Sequence, residues 1–255
     1  MTNPILSVSG LSASFGGFKA LDNVSIALEK SGMVGLIGTN GAGKSTLFSA
    51  ISGYIPQQSG TIHFAGEEIS GLQIHHRVQR GLARTFQVPK EFSNMTVFNN
   101  MMAAAPGQAG EGLLALVFAR KTIARQEAQT AERVHELLAF LNLTRVADTL
   151  AGKLSGGQKK LLELGRLLML EPKCIMLDEP FAGVNPVLIE ELSQRIIDLN
   201  RRGMAVLIIE HNLDELSRIV PKLYVMDRGQ VIAEGKPDEV LEDDLVREAY
   251  MGGVI

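Results

Sequence analysis

The sequence predicts an α/β fold with a mostly parallel sheet, interrupted by a helical insertion. Short apolar runs alternate with helical patterns in the first and last thirds of the 255 residues. A glycine-rich loop stands directly between one such run and a helix. The middle of the chain, from about residue 99 to 143, has no β-rich run. Alternating strands and helices are typical of a parallel sheet, which binds its ligands at the C-terminal ends of its strands.

The N-terminal third reads as strands punctuated by turn residues. Apolar runs bounded by glycine, asparagine and serine predict strands at 5–9, 24–28, 33–37 and 61–64. The run at 33–37 enters the glycine-rich loop, and a helix is expected from Lys44 to about Gly53. This order predicts a ligand-binding loop near the start of the fold.

In the middle of the chain, Val134, Leu137, Leu138 and Leu141 recur at helical spacing, which predicts a packed amphipathic helix. The α/β pattern then resumes. Its expected elements are helices at 156–170, 186–202 and 212–219, strands at 174–178 and 205–209, and a closing hairpin that turns at 227–229.

Composition limits the classes of function. Hydrophobic residues make up 45% and charged residues 21%, and the net charge of −3 gives no support to nucleic-acid binding. The N-terminus lacks the basic and apolar regions of a secretory signal, and no apolar run approaches the roughly 20 residues of a membrane span. We therefore expect a cytoplasmic chain that reaches any membrane through a partner.

The first candidate site is the loop at 38–45, which matches G-x-x-x-x-G-K-[ST] between a predicted strand and a predicted helix. Glycines let the backbone wrap phosphates, and the helix N-terminus adds N–H donors and positive dipole. Lys44 is expected to reach the β- and γ-phosphates, and Ser45 to ligate Mg²⁺. The expected nucleotide contacts are Gly38, Asn40, Gly41, Ala42, Gly43, Lys44, Ser45 and Thr46.

Acidic and polar residues follow other predicted strands. Asp178, at the end of an apolar run, suits a Mg²⁺ contact, and Glu179 can polarise an attacking water. His211 ends the next strand, where we expect a γ-phosphate contact. The amide of Gln87, in the stretch RTFQ, is a candidate for the metal or the attacking water.

A second glycine-rich stretch, LSGGQ at 154–158, opens a predicted helix. Its serine and glycines leave backbone N–H groups at a helix N-terminus, as an anion site requires. The chain therefore carries two phosphate-binding loops. The candidate ligands here are Ser155, Gly156, Gly157 and Gln158.

Together these motifs resemble the ATP-binding subunits of ATP-binding cassette (ABC) transporters over essentially the whole chain. In that family the series is Walker A at 38–45, Q-loop at Gln87, signature at 154–158, Walker B at 174–179 and switch His211. The resemblance implies a P-loop NTPase core with a mostly parallel sheet, an antiparallel β subdomain and a helical insertion. It implies one domain over 1–255, with a helical subdomain at approximately 88–160.

The resemblance also explains the second loop. Family members pair head to tail, so that the signature of one subunit covers the ATP on the Walker A of the other. It implies ATP and Mg²⁺ as ligands, Glu179, His211 and Gln87 as catalytic residues, and Ser45, Gln87 and Asp178 around the metal. An aromatic ring usually stacks on adenine; Phe15 best matches that position, with Phe18 as the other candidate and a core role for Phe15 still open.

Less specific motifs indicate which subgroup of the family the chain resembles. The stretches A-G-x-N-P, RTFQ, MTVFNN and EAYMG resemble importers of branched-chain amino acids, although Asn185 stands where the family usually has a D-loop aspartate. Urea or short-amide importers and lipopolysaccharide exporters look similar, and a soluble non-transport ABC protein or a small-molecule kinase are further alternatives. The expected partners are a second ATPase subunit (identical or paralogous), transmembrane permeases docked near Val88, Pro89, Phe92 and Met95, and indirectly a substrate-binding protein, with no nucleic acid. The expected location is the inner face of the cell membrane.

Overall fold

The computed structural model describes residues 4–85, 91–107, 120–211 and 213–251. The described residues form two compact units. One, here called the sheet unit, draws on Met1–Gln87, Pro172–Ala182 and Ile196–Ile255. The other, the helical unit, draws on Val88–Glu171 and Gly183–Arg195.

A six-stranded sheet dominates the sheet unit, in the order β10-β9-β3-β8-β7-β6. Strands β9, β3, β8, β7 and β6 pair in parallel, and β10 joins β9 antiparallel as the predicted closing hairpin. Every residue of β3, β7 and β8 is buried, which explains their unbroken apolar sequences. The bounds are β3 Met33–Gly38, β6 Leu82–Arg84, β7 Cys174–Asp178, β8 Ala205–Ile209, β9 Lys222–Asp227 and β10 Gln230–Gly235.

A second, antiparallel sheet follows the order β2-β1-β4-β5. Its strands are β1 Leu6–Phe15, β2 Phe18–Leu28, β4 Ser59–Phe64 and β5 Glu67–Glu68. The expected strands at 5–9 and 24–28 were too short, because β1 and β2 continue into one long hairpin. Gly16 and Gly17 turn it with positive φ angles of 53° and 89°, a conformation that glycine adopts easily.

The first helix of the sheet unit and strands of both sheets share an apolar core. Leu36, Phe48, Met176, Leu207 and Tyr224 are among its buried members. The helices are α1 Lys44–Ser52, α2 Ile74–Gln79, α7 Leu213–Ile219, α8 Pro237–Glu242 and α9 Asp244–Met251, with the end of α6 (Pro186–Arg201).

The helical unit contains α3 (Val97–Met102), α4 (Arg120–Phe140), α5 (Gly156–Leu168) and the start of α6. The four apolar residues that predicted a packed helix here are all buried, so the helical insertion is confirmed: Val134, Leu137, Leu138 and Leu141. Across the described ranges no helix is both long and apolar enough to traverse a bilayer.

Candidate functional site

The loop between β3 and α1 requires glycine at its two ends. Gly38 and Gly43 have positive φ angles of 151° and 101°. A Cβ atom on Gly38 would lie 2.2 Å from the Met226 carbonyl oxygen, and one on Gly43 would lie 2.7 Å from the Ala20 carbonyl oxygen. Only glycine fits both the backbone angle and the space, so the loop bends tightly into the helix.

Lys44 extends back along this loop. Its Nζ atom donates to the carbonyl oxygens of Gly38 at 2.7 Å and of Thr39 at 2.9 Å. Burial lowers the pKa of Lys44, while the nearby carboxylates of Glu179 and Asp178 act in the opposite direction. The loop therefore holds a buried cation close to two acids, where a phosphate group could take over the carbonyl contacts.

The N-terminus of α1 opens into a cavity of about 420 Å³. Gly43 is its N-cap, and no side chain of the described residues caps the helix, which leaves first-turn N–H groups for an anion. The cavity brings together most of the predicted nucleotide contacts. It is lined by Phe15, Phe18, Ala20, Asn40, Gly41, Ala42, Gly43, Lys44, Ser45, Thr46, Glu179 and His211.

Two aromatic rings stand at the mouth of this cavity. Phe15 and Phe18 face each other across the β1–β2 hairpin, and they are 50% and 68% exposed. Phe15 is therefore no core residue, which had been the alternative to base stacking. Either ring is accessible to a planar ligand.

Asp178 ends β7 as a buried carboxylate. Its Oδ2 atom accepts a hydrogen bond from Arg84 at 2.8 Å, and its backbone N–H donates to Thr85 Oγ1 at 2.9 Å. Arg84 also donates to the hydroxyls of Ser49 and Ser52 on α1. These contacts fix the carboxylate against the helix that follows the glycine loop.

Glu179 adopts a left-handed backbone conformation, with φ of 48°. Its N–H donates to the carbonyl oxygen of Ile209 at 3.0 Å. Its Oε1 atom lies 2.9 Å from His211 Nε2, so the carboxylate and the imidazole form a hydrogen-bonded pair. The structure therefore brings together the two catalytic residues predicted at the ends of β7 and β8.

Sequence reasoning did not single out Arg84, which donates to Asp178, or Glu210, which accepts from the backbone N–H of His211. RTFQ had been read only for Gln87 and for its subgroup likeness, although an arginine in a strand-like stretch needs a partner when buried. Glu210 sits between a wholly apolar strand and His211, an acid in a place where burial was expected. Both were visible as charged residues beside buried strands.

Ser155 is the N-cap of α5 rather than part of its first turn. Its Oγ accepts from the Gln158 N–H at 3.3 Å, and Gln158 Oε1 accepts from the Ser155 N–H at 3.1 Å. This capping box engages the Gln158 side chain and leaves the Ser155 hydroxyl proton available to an anion. A Cβ on Gly157 would lie 2.3 Å from Leu188 Cδ1, so this glycine lets α5 pack closely on α6.

Asn185 stands before α6 as its cap. Its Oδ1 accepts from the Leu188 N–H at 3.0 Å, a contact that aspartate would also make. The replacement of the usual aspartate therefore keeps the helix start. Gln87, Val88 and Pro89 lie outside the described residues.

A glycine loop with a buried lysine, set beside a strand that ends in two acids, defines the class of P-loop nucleotide-binding proteins. The ABC transporter family model matches residues 21–182, and a model of branched-chain amino acid ATP-binding cassette transporters matches residues 230–254.

Relatives that match nearly the whole chain support the same family. A probable branched-chain amino acid transport ATP-binding protein LivG from Methanocaldococcus jannaschii is 40% identical, covering 98% of this chain and 98% of the relative. BraF from Pseudomonas aeruginosa, a high-affinity branched-chain amino acid transport ATP-binding protein, is 36% identical over 99% of both chains. The ADP conformation of MJ1267, an ATP-binding cassette of an ABC transporter, superposes with a TM-score of 0.86 at 40% identity, covering 98% of this chain and 100% of that one.

The chain belongs to the ABC transporter family. It is an ATP-binding subunit of that family, homologous to the ATPases of branched-chain amino acid importers, and it hydrolyses ATP.

Proposed function

We propose that this chain powers the import of branched-chain or other hydrophobic amino acids through ATP-driven closure of a dimer. The observation that carries the substrate class is the match of residues 230–254 to cassettes of branched-chain amino acid transporters, together with the names of LivG and BraF. A lipopolysaccharide export protein LptB from Haemophilus influenzae is 36% identical over 97% of both chains, which makes export the second candidate.

The nucleotide occupies the cavity at the N-terminus of α1. The free N–H groups and Lys44 bind its phosphates, and Phe15 stacks on the base at the cavity mouth. A hydroxyl on Ser45 and the buried carboxylate of Asp178 are oxygen donors of the kind that Mg²⁺ prefers, so these residues fit the metal. Held by these residues, Mg²⁺ would supply positive charge against the charge that develops on the phosphates. Gln87 is proposed to join the metal or the attacking water.

Glu179 is proposed to orient and deprotonate the attacking water. The 2.9 Å contact with His211 Nε2 supports this role, because it holds the carboxylate in a fixed direction beside the nucleotide cavity. His211 then supports both the carboxylate and the γ-phosphate. The left-handed backbone of Glu179 supports the same conclusion, since strained residues concentrate at functional sites.

The site is completed by a second copy or by a paralogous subunit. The capped N-terminus of α5, with Ser155, Gly156 and Gly157, is proposed to cover the γ-phosphate held by the partner. Its support is chemical: the Ser155 hydroxyl and the first-turn N–H groups form an anion site of the same type as the one at α1.

A transmembrane permease is proposed to dock on the exposed apolar residues of the helical unit. Phe92, Met95 and Leu150 are 49%, 36% and 38% exposed. The loop that carries the first two is held by buried Asn100, whose Nδ2 donates to the carbonyl oxygens of Phe92 at 3.0 Å and Thr96 at 2.9 Å. A rigid apolar loop suits a permease helix, which would hold this chain on the inner face of the membrane.

Glu179→Gln tests the mechanism. We expect ATP binding to persist, turnover to fall by about a hundredfold or more, and an ATP-bound dimer to accumulate, because the amide cannot accept the proton of the water. Single-turnover kinetics and sedimentation with ATP measure these effects. Wild-type turnover in this variant would show that Glu179 does not deprotonate the attacking water.

The substrate class is tested by uptake. Cells that lack this chain should lose uptake of labelled leucine, and the wild-type chain but not Glu179→Gln should restore it. Unchanged leucine uptake in cells without the chain, with lipopolysaccharide held back from the outer surface, would favour the export alternative.

A further inference from the structure

We propose that Glu210 is a positioning residue for hydrolysis: its carboxylate joins the turn that carries Glu179 to the backbone of His211 and so sets the spacing of the catalytic pair. The proposal rests on the roles given above to Glu179 and His211.

Each oxygen of the Glu210 carboxylate holds a different segment. Oε1 accepts from the N–H of Phe181 at 2.7 Å, and Oε2 accepts from the N–H of His211 at 3.0 Å. Phe181 lies two residues beyond Glu179, in the turn after β7, whereas His211 follows β8. One side chain therefore spans the ends of two neighbouring strands.

Because Glu210 is buried, its carboxylate needs these hydrogen bonds. The residue is 3% exposed, and a carboxylate removed from water must be compensated by donors. Hydrogen bonds to an ionised carboxylate are stronger than those between neutral groups. Glu210 thus holds both N–H groups firmly, and neither segment can move without breaking a charge-assisted hydrogen bond.

The segment held in this way is the one under backbone strain. Glu179 has a positive φ of 48°, a conformation that persists only where surrounding contacts impose it. Two contacts from the end of β8 do so: the Ile209 carbonyl accepts from the Glu179 N–H at 3.0 Å, and Glu210 accepts from Phe181. The hydrogen bond between the side chains of Glu179 and His211, at 2.9 Å, also joins the turn after β7 to the end of β8.

This arrangement predicts a specific kinetic defect. Glu210 is absent from the residues that line the nucleotide cavity, so its loss should leave ATP binding intact. The direction of the Glu179 carboxylate depends on the turn, and a misplacement of about 1 Å near the reacting groups can cost about a hundredfold in rate. A positioning role therefore predicts a lower kcat with unchanged nucleotide affinity.

Glu210→Gln is the main test, because glutamine has the same shape but only one acceptor oxygen. Its NH₂ group would face a backbone N–H donor, so one of the two segments must be released. We expect kcat to fall about tenfold to a hundredfold, with ATP affinity within about twofold of wild type. Hydrogen exchange should become faster at the amides of Phe181 and His211.

Glu210→Asp retains the charge but is one methylene shorter, so it should release one segment and lower kcat too. Glu67→Gln, on strand β5 of the antiparallel sheet, is the charge-matched control and should keep wild-type kcat and exchange. Glu179→Gln is measured in parallel.

The outcomes are distinguishable. If Glu179→Gln turns over normally, the proposed mechanism fails. If Glu179→Gln is inactive but Glu210→Gln keeps wild-type kcat, or its two amides stay protected, the positioning role alone is wrong. A variant of Glu210 that loses ATP affinity and kcat together would also contradict it, because that result indicates a general structural defect.

Discussion

At the scale of single residues, Arg77 is a buried cation that hydrogen-bonds the C-terminal end of α1, the helix that follows the glycine-rich loop. The residue is 2% exposed, and its guanidinium donates to carbonyl oxygens of Ala50 at 2.8 Å and Ile51 at 2.6 Å in the last turn of α1. It also donates to the carbonyl oxygens of Leu72 and Ser70. Burial lowers the pKa of Arg77. One side chain thus contributes donors to the C-terminal end of a helix whose N-terminus is proposed to bind phosphate.

Arg77→Met should therefore destabilise the fold. Four buried or partly buried carbonyl groups would lose the hydrogen bond that Arg77 donates, and we expect the free energy of unfolding to fall by about 3 kcal/mol or more. Urea unfolding measures it. Arg80→Met is the matched control, since its ion pair with Glu67 is exposed and should contribute less than about 1 kcal/mol. Equal losses in the two variants would contradict this role.

The residues of the site divide into those that a motif predicts and those that only tertiary contact reveals. Lys44, Asp178 and Glu179 were predicted because each follows a buried strand or a glycine loop, a local pattern. Arg84 and Glu210 each make a contact with a residue distant along the chain. Asp178 is 94 positions from Arg84, and no local pattern links the two.

At the scale of elements, a buried ion pair joins the ends of the neighbouring strands β6 and β7. The side chains of Arg84 and Asp178 are 11% and 5% exposed, and two hydroxyls on α1 accept from the same guanidinium. Removal of one partner would leave a carboxylate buried without its countercharge.

Arg84→Met should lower the free energy of unfolding by about 3–5 kcal/mol in the absence of ligand. With Mg²⁺ and nucleotide the loss should be smaller, because a metal held at Asp178 as proposed would compensate its charge. Thermal and urea unfolding with and without ligand measure both values. Arg84→Lys keeps the charge and should lose less. A loss below about 1 kcal/mol in Arg84→Met would contradict the account.

A second ion pair ties the first turn of α5 to the loop at residue 91. Lys159 Nζ lies 2.7 Å from Glu91 Oε1, and the glutamate side chain is 10% exposed. Burial alone would raise the pKa of Glu91, but the hydrogen bond from Lys159 and further contacts bring it below the usual 4.5. The folded state therefore binds this proton less readily than the unfolded state does.

This difference predicts how stability responds to acid. A lowered folded pKa contributes stability that is fully present above pH 4.5 and is lost as pH falls through the folded pKa. In urea titrations from pH 7 to pH 3, Glu91→Gln should show a weaker loss of stability with acid than wild type. Lys159→Met, which keeps the acid and removes its partner, should show the same weakening. An unchanged slope in both variants would contradict the assignment.

Helices and strands were predictable where the hydrophobic periodicity is strong. The prediction failed where turn residues or strand pairing determine the length of a strand. Strands β7 and β8 fall at the predicted 174–178 and 205–209. The full β1–β2 hairpin was missed because its strands extend on both sides of Gly16 and Gly17 through pairing with each other. Strand β6 is three residues long and exists through its pairing with β7.

At the scale of the whole molecule, the described residues include two helix N-termini suited to phosphate, one in each unit. The N-terminus of α1 is uncapped by any described side chain and lines a cavity, whereas α5 is capped by Ser155 and Gln158. The α/β class and the helical insertion were predictable from alternation and periodicity. The resemblance also implied a helical subdomain at approximately 88–160, but the grouping of 183–195 with 88–171 was not predicted, because it depends on contacts between segments far apart in sequence.

The most direct test of the shared-site account is Ser155→Asp, with Lys44→Ala for comparison. Aspartate caps a helix as well as serine does, so stability should be retained, but its charge would repel the γ-phosphate of the partner's ATP. We predict unchanged ATP affinity with hydrolysis reduced by about a hundredfold in Ser155→Asp, and lost ATP binding in Lys44→Ala. Wild-type hydrolysis by Ser155→Asp would contradict the account.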